Sequence, residues 1–322
     1  MTPLIANIAS IVRNAMPLVI AGLGETITER VGVTNLSLDG SIVLSAMVGF
    51  AAASVTESLI AGFLAAMVTG AAIALLIAVS AFELKQDQVA IGFVLTLLCV
   101  DLAAFLGKPF SREPGPSVPH MPIPILSDIP IIGPIFFDHD LLVYVSYALI
   151  FGVWFFLYRT RWGLALRAVG ERPESAYARG TNVSLQRYAF TIVGGALVGL
   201  AGATYSLDIR LGWNLPPAMR GEGWIALAIV IFGGWHPFRV AFGAYLFTAL
   251  KALASAMQQS GVLSPVLVNM VPWIVMLLTL LMVSSNFVER LLFYVPKRFR
   301  PLLRSVLRSD PPKALGSTFK NR

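Results

Sequence analysis

The sequence predicts an all-α, polytopic helical membrane protein of about nine transmembrane helices (eight to ten), with some of those helices interrupted. Three observations carry this expectation. Only 13% of the 322 residues are charged, where soluble domains run near 25%. Hydrophobic residues make up 57%. Several uncharged runs have the length of a bilayer-spanning helix: Gly40–Thr56, Ser58–Phe82, Leu141–Tyr158, Tyr188–Leu207 and the 37 residues Ala252–Val288. Irregular backbone cannot face lipid, so such runs form helices.

The crossings are expected at 8–24, 38–55, 59–82, 88–107, 141–158, 188–207, 222–236, 240–257 and 266–285. The first contains Arg13 and Pro17 and runs into the charged stretch Glu25–Arg30. It lacks a small-residue cleavage site, so it reads as a span and not a cleavable signal. The second and third are rich in Ala, Gly, Val and Leu, with small residues where helices approach closely. The fourth holds the single cysteine, Cys99, and an acid, Asp101. Eight prolines between Pro109 and Pro134 make the loop 108–140 stiff and extended. The seventh crossing is short. Residues 1–286 form the membrane domain and 287–322 a basic tail. In that tail Phe299, Leu302, Leu303, Val306 and Leu307 share one helical face, opposite Arg298, Arg304 and Arg308, as in a segment lying on anionic lipid.

Of 24 Lys and Arg residues, six arginines (159, 161, 167, 172, 179, 187) fall between the fifth and sixth spans and nine basic residues follow the last span. The positive-inside rule puts both segments in the cytoplasm. Counting back, the N-terminus and the loop 108–140 lie outside. The net charge of +7 is therefore topology, and no nucleic-acid partner is expected.

Catalytic, cofactor and metal sites are not expected. His120, His139 and His236 have no Cys or carboxylate at ligand spacing and read as solvated or interfacial. There is no phosphate-cradling G-x-x-x-x-G-K-[ST] loop, and no nucleophile elbow or H-E-x-x-H pair. Asp101 is the clearest intramembrane acid, either a buried structural group or part of a substrate path.

Two segments stand apart. Gly24–Gly40 (GETITERVGVTNLSLDG) interrupts the apolar pattern with glycines, Asn35 and four charges, and Phe232–Arg239 (FGGWHPFR) makes a comparable break in the second half. Broken helices at membrane depth are tolerated where they line a cavity, and paired breaks in two halves point to a translocation path. The candidates there are Glu25, Asn35, Asp39, Gly40, Thr96, Asp101, Gly233 and Gly234. The other segment is Arg167–Gly180 within the basic loop 159–187. Pro173 suits a first helical turn and Gly180 the position past its end, so a two-turn exposed helix is expected as a docking surface.

Glu25–Gly40 resembles the G-E-x-x-x-E-R-x-G-x-x-N-[LI]-x-x-[ED]-G signature of permease subunits of ABC importers, in the branched-chain amino acid/ribose-type permease family, and within it the nucleoside and simple-sugar group. Arg167–Gly180, Arg187 and the run Gly194–Ala203 look like that family's coupling loop and following helix. Gly221–Ala226 through Gly233, Gly234 and Pro237 is similar to its second block. Asp39 stands where Glu is more usual, and Thr96 where relatives often have Asn. The resemblance implies a multi-pass permease of the bacterial cytoplasmic (inner) membrane. A second permease, usually a different chain, two ATP-binding subunits and an extracytoplasmic binding (lipo)protein would be its partners. It also implies a coupling surface of Gly170, Glu171, Pro173, Ala176, Arg179 and Gly180, and a nucleoside or sugar as solute. The alternative is an ion-coupled carrier using Asp101.

Overall fold

The computed structural model describes residues 3–217, 219–259, 264, 270, 273–274, 277–278 and 311–317. Among these the regular structure is helical: α1 (Pro3–Arg30), α2 (Leu38–Thr56), α3 (Leu59–Phe82), α4 (Gln88–Leu106), the short α5 (Ile132–Phe136), α6 (Leu141–Arg159), α7 (Arg161–Glu171), α8 (Pro173–Ala178), α9 (Val183–Thr204), α10 (Glu222–Phe232) and α11 (Pro237–Gln259). Seven of these, counting α9 with the π turn Tyr205–Ile209 that continues it, are long and apolar enough to cross a membrane; α10 is a shorter apolar helix. The expected ninth span, 266–285, and the amphipathic stretch 297–308 lie outside the described residues, apart from a few isolated positions in the former.

Several boundaries differ from the sequence expectation, α1 starting at Pro3 and α10 ending at Phe232 among them, and two have a visible physical reason. α1 does not stop at residue 24 but continues to Arg30, because its last polar side chains all find partners inside the bundle. α9 begins at Val183 and not at 188, capped by Asn182, whose Oδ1 accepts from the Leu185 amide at 3.0 Å. Side-chain caps also start α3 (Ser58), α4 (Asp87), α6 (Asp140) and α7 (Thr160). Each satisfies one of the amides a helix N-terminus leaves unpaired.

The bundle has two distinct ends. Arg13 donates to Asp140 at 3.0 Å and to Asp208 at 2.7 Å, which ties α1, the start of α6 and the end of α9 together beside the proline-rich loop. At the other end, α7 with its arginines packs on the C-terminus of α1, and α8 packs against α7 and α9. The segment 311–317 also docks there: the Ala314 amide donates to Gly170 O at 2.9 Å, Gly316 N to Gly32 O at 3.2 Å, and Arg187 to Ser317 O at 3.0 Å. These are called the proline-loop end and the basic end below.

α2 and α9 form the centre, each with 72% of its membrane-length window buried, against 28% for α4 and 33% for α3 and α6. The centre is close-packed because α9 carries glycine and alanine on all sides. A Cβ on Gly194 would lie 2.6 Å from Gly24 O of α1, one on Gly199 2.1 Å from Ala66 O of α3, and one on Gly202 2.6 Å from Ile42 O of α2. With no hydrophobic drive between helices in lipid, such backbone approach supplies the dispersion that holds them. The lightly buried helices expose Leu64, Val68, Phe93, Leu97, Phe151 and Phe155, the side chains expected against lipid or another membrane subunit.

Gly70 packs its α-carbon against Gly195 O and Gly199 N, whereas Gly152 on α6 has open space around it. Gly70→Leu should abolish the single gel-filtration peak in detergent or lower the thermal midpoint by many degrees. Gly152→Ala should leave it unchanged or raise it, by at most about 1 kcal/mol of helix propensity. Equal effects would contradict this packing.

Candidate functional site

The two breaks that the sequence separates by about 200 positions meet in space. At the end of α1, Glu29 accepts a short hydrogen bond from Trp235 Nε1. Arg30 donates to Trp235 O at 3.1 Å and to Gly234 O at 3.2 Å. The turn 233–236 that reverses the chain from α10 into α11 places Gly234 at φ 61° and Trp235 at φ 54°. The Gly233 and His236 carbonyls accept from backbone amides, and the Arg30 guanidinium fork satisfies those of Gly234 and Trp235.

Beyond Arg30 the chain turns at Gly32 (φ 94°) and climbs back beside α1. Several steps are hydrogen-bonded. Val33 N donates to Thr28 O at 3.2 Å and Thr34 N to Gln88 Oε1 at 2.8 Å. Asn35 Nδ2 donates to Glu25 Oε2 at 3.2 Å, while Asn35 Oδ1 accepts from both Ser37 N (3.0 Å) and Ser37 Oγ (2.7 Å). Thr96 Oγ1 donates to Leu36 O at 2.8 Å. An unsatisfied group at membrane depth costs several kcal/mol, so this knitting is what permits an irregular segment there. Glu25 Oε1 and Gln88 Nε2 in this group are buried without a partner among the described residues.

Asp39, in the first turn of α2, accepts from the Gly221 amide at 2.7 Å and the Gly223 amide at 3.0 Å through one oxygen. It thereby caps the N-terminus of α10, where the helix dipole favours an anion. The contact needs Gly223, since a Cβ there would lie 2.2 Å from Asp39 Cα. Gly40 faces Thr96 in the same way, with a Cβ 2.6 Å from Thr96 Cα. The sequence candidates Glu25, Asn35, Asp39, Gly40, Thr96 and Gly234 thus form one connected region, with Gly233 packed on Val240 at its edge. Asp101 does not join it. It is exposed on α4, five residues from Thr96 and roughly 140° around the helix.

The basic-end segment reaches this region through a glycine. Gly170 approaches Arg30 O so closely that a Cβ would lie 2.0 Å away. α8 follows: Pro173 and Ala176 are buried, while Glu171, Glu174, Tyr177 and Arg179 are exposed, and Gly180 (φ 84°) ends it. The expected short helix is this one. Beside it a groove of about 600 Å³ is lined by Tyr177, Ala178, Gly180, Thr181, Asn182, Val183 and Ser184. Under the turn, His236 stacks between Tyr158 and Phe238 at 5.2 and 5.9 Å.

Sequence reasoning missed two charge clusters: Arg13 with Asp140 and Asp208, and Lys251 with Glu222 at 2.5 Å. Lys251 is the only lysine or arginine in the expected span 240–257, and that isolation is the signal that marks intramembrane ionisable residues for attention. His139 also differs from expectation. It is buried, with Nε2 2.9 Å from Ile135 O, because the proline-rich loop folds over it. Among the described residues no group of three or more His, Cys, Asp or Glu could hold a metal.

Comparison with known proteins identifies the family. The profile of the family described as "Branched-chain amino acid transport system / permease component" matches residues 7–280. A protein of Haloferax volcanii provisionally named a glucose ABC transporter permease is 39% identical over 75% of this chain and 74% of its own length. A guanosine ABC transporter permease of Bacillus subtilis is 33% identical over 83% of this chain and 88% of its own. A nucleoside ABC transporter permease of Lactococcus lactis is 29% identical over 77% and 81%. No solved structure gives a significant match.

The cap on α10 is measurable. Asp39→Ala leaves two buried amides unpaired and should destabilise the detergent-solubilised protein by about 1–3 kcal/mol. Asp39→Asn keeps an acceptor oxygen and should lose less. Equal melting points for all three proteins would exclude the cap.

Proposed function

Because the chain belongs to the family of branched-chain amino acid transport permease components, we propose that it is the membrane-spanning permease subunit of an ATP-binding-cassette importer for a nucleoside or simple sugar. In this reading it pairs with a second permease in the bacterial inner membrane. A binding protein outside delivers solute to the proline-loop end. The basic end faces the cytoplasm, where separate ATPase subunits bind α8 and the groove beside it.

One observation carries the mechanism. Arg30 is touched by Gly170 of the α7–α8 segment and itself holds the α10–α11 turn. A push on α8 therefore bears on the end of α1 and, through it, on both breaks. The chain supplies no chemistry to the cycle; it converts a displacement at one end into a change in the path. The substrate class is supported by the printed names of the relatives, which include guanosine, nucleoside and glucose permeases. The ion-coupled alternative gains nothing from Asp101, which lies on the exposed face of α4 away from the breaks.

Replacing Tyr177 by Ala together with Arg179 by Glu tests the docking. Both side chains are exposed, so the melting point should stay within about a degree of the parent, in line with ordinary surface substitutions. The ATPase subunit should no longer co-purify, and solute uptake should fall at least about tenfold, the effect of some 1.4 kcal/mol of lost coupling. Unchanged uptake with the ATPase still bound would refute the proposed surface.

A further inference from the structure

A second polar feature lies apart from the breaks and the basic-end loop. A cavity of about 240 Å³ sits between α1, the π turn after α9, the start of α10 and α11, with Ser10, Asn14, Tyr205, Glu222, Thr248 and Lys251 in its wall. Lys251 follows Pro237 by fourteen residues, roughly 21 Å along α11. Glu222 begins α10, roughly 16 Å from the turn at its other end. Lys251 thus belongs to a membrane-length helix and Glu222 opens a shorter apolar one, a setting in which an ion pair is costly to keep.

A purely structural clip would be saturated by its own partners. This one is not. Glu222 Oε1 accepts from Lys251 Nζ at 2.5 Å, but Glu222 Oε2 and Thr248 Oγ1 are buried without a hydrogen-bond partner among the described residues, each in a side chain only 7% exposed. The Lys251 ammonium has donors beyond the one given to Glu222. Asn14 spends its amide nitrogen on Ser10, which leaves its carbonyl oxygen as an acceptor. Arg210 also stands in the wall, which therefore carries two cations and one carboxylate, with donors and acceptors interleaved.

That pattern selects a ligand class. A hydroxyl group both donates and accepts, so neighbouring hydroxyls can bridge the ammonium, the free carboxylate oxygen and Thr248. An anion drawn to Lys251 or Arg210 would meet the unpartnered Glu222 oxygen, and a cation would meet the two basic groups. The volume is below the roughly 300–1,000 Å³ of drug-sized sites, which suits a single sugar ring. We propose that this cavity is a subsite for the hydroxylated ring of a small neutral solute, a free sugar or the ribose of a nucleoside, with Glu222, Lys251 and Thr248 as its polar contacts. The proposal rests on the importer reading for its solute. It also places that solute next to the break, since Glu222 stands between the two glycines whose amides cap onto Asp39.

The test uses the full chain in membranes, with Cys99→Ser and a single new thiol at Ser255→Cys, an exposed position in the cavity wall. A matched control carries Ser184→Cys at the basic end. Millimolar D-glucose or guanosine should slow N-ethylmaleimide labelling at position 255 at least threefold and leave position 184 unaffected, while sodium glutamate should protect neither. Protection should disappear when Glu222→Gln and Lys251→Met are combined. If that double variant loses its gel-filtration peak, Thr248→Val takes its place and should weaken protection. Equal labelling with and without both solutes, protection by glutamate, or protection that survives these substitutions would overturn the subsite. Uptake measured in parallel separates the two readings: uptake without protection removes the subsite alone, and protection without uptake removes the importer reading alone.

Discussion

The structure depends on one constraint: backbone groups inside the bilayer must be hydrogen-bonded by the protein. From Val31 to Ser37 the chain leaves the helix, and it can do so only because Gln88, Asn35, Thr28 and Thr96 replace the missing ladder. The N-terminus of α10 raises the same problem in reverse, with unpaired amides inside the bundle, and Asp39 accepts two of them. The charged residues that look anomalous in an apolar sequence are the partners that make broken helices possible.

Those partners also join parts of the chain that are remote in sequence. Glu29 and Arg30 hold the turn 233–236, and Gly170 brings the basic-end segment onto the Arg30 carbonyl. The segment 311–317 lies over the same junction, bonded to Gly32, Gly170 and Arg187. The close contacts here are backbone on backbone, so a displacement of α7 and α8 has little slack to be absorbed in. Around this core α9 packs glycine against three helices, which makes the centre close-packed.

Much of this was legible in the sequence. Uncharged runs located α2, α3, α4 and α6 to within a residue or so, and the placing of Pro173 and Gly180 located α8. The two breaks were legible from their glycines and charges, but not their contact, because nothing local in Glu29 or Arg30 says that the partner is Trp235. Charge misled at two helix ends. Glu25 through Arg30 read as a break although α1 continues, and Arg187 read as loop although it is buried in α9 beneath Ser317. Both errors have one cause: long-range partners can bury a charge that local pattern assigns to solvent. Asp101 drew attention by its residue type, while Lys251, equally isolated, is the one that pairs with an acid in the wall of a cavity.

The central claim is that Arg30 links the basic-end segment to the broken helices. It is tested most directly by ATP hydrolysed per solute imported, in the assembled transporter reconstituted with its ATPase and carrying Arg30→Met. That substitution keeps the aliphatic stem and removes the donors to Gly234 and Trp235. The account predicts that the ATPase still binds and hydrolyses ATP while the ratio of ATP to solute rises at least about tenfold, equivalent to some 1.4 kcal/mol of lost coupling. An unchanged ratio, with uptake intact, would contradict it.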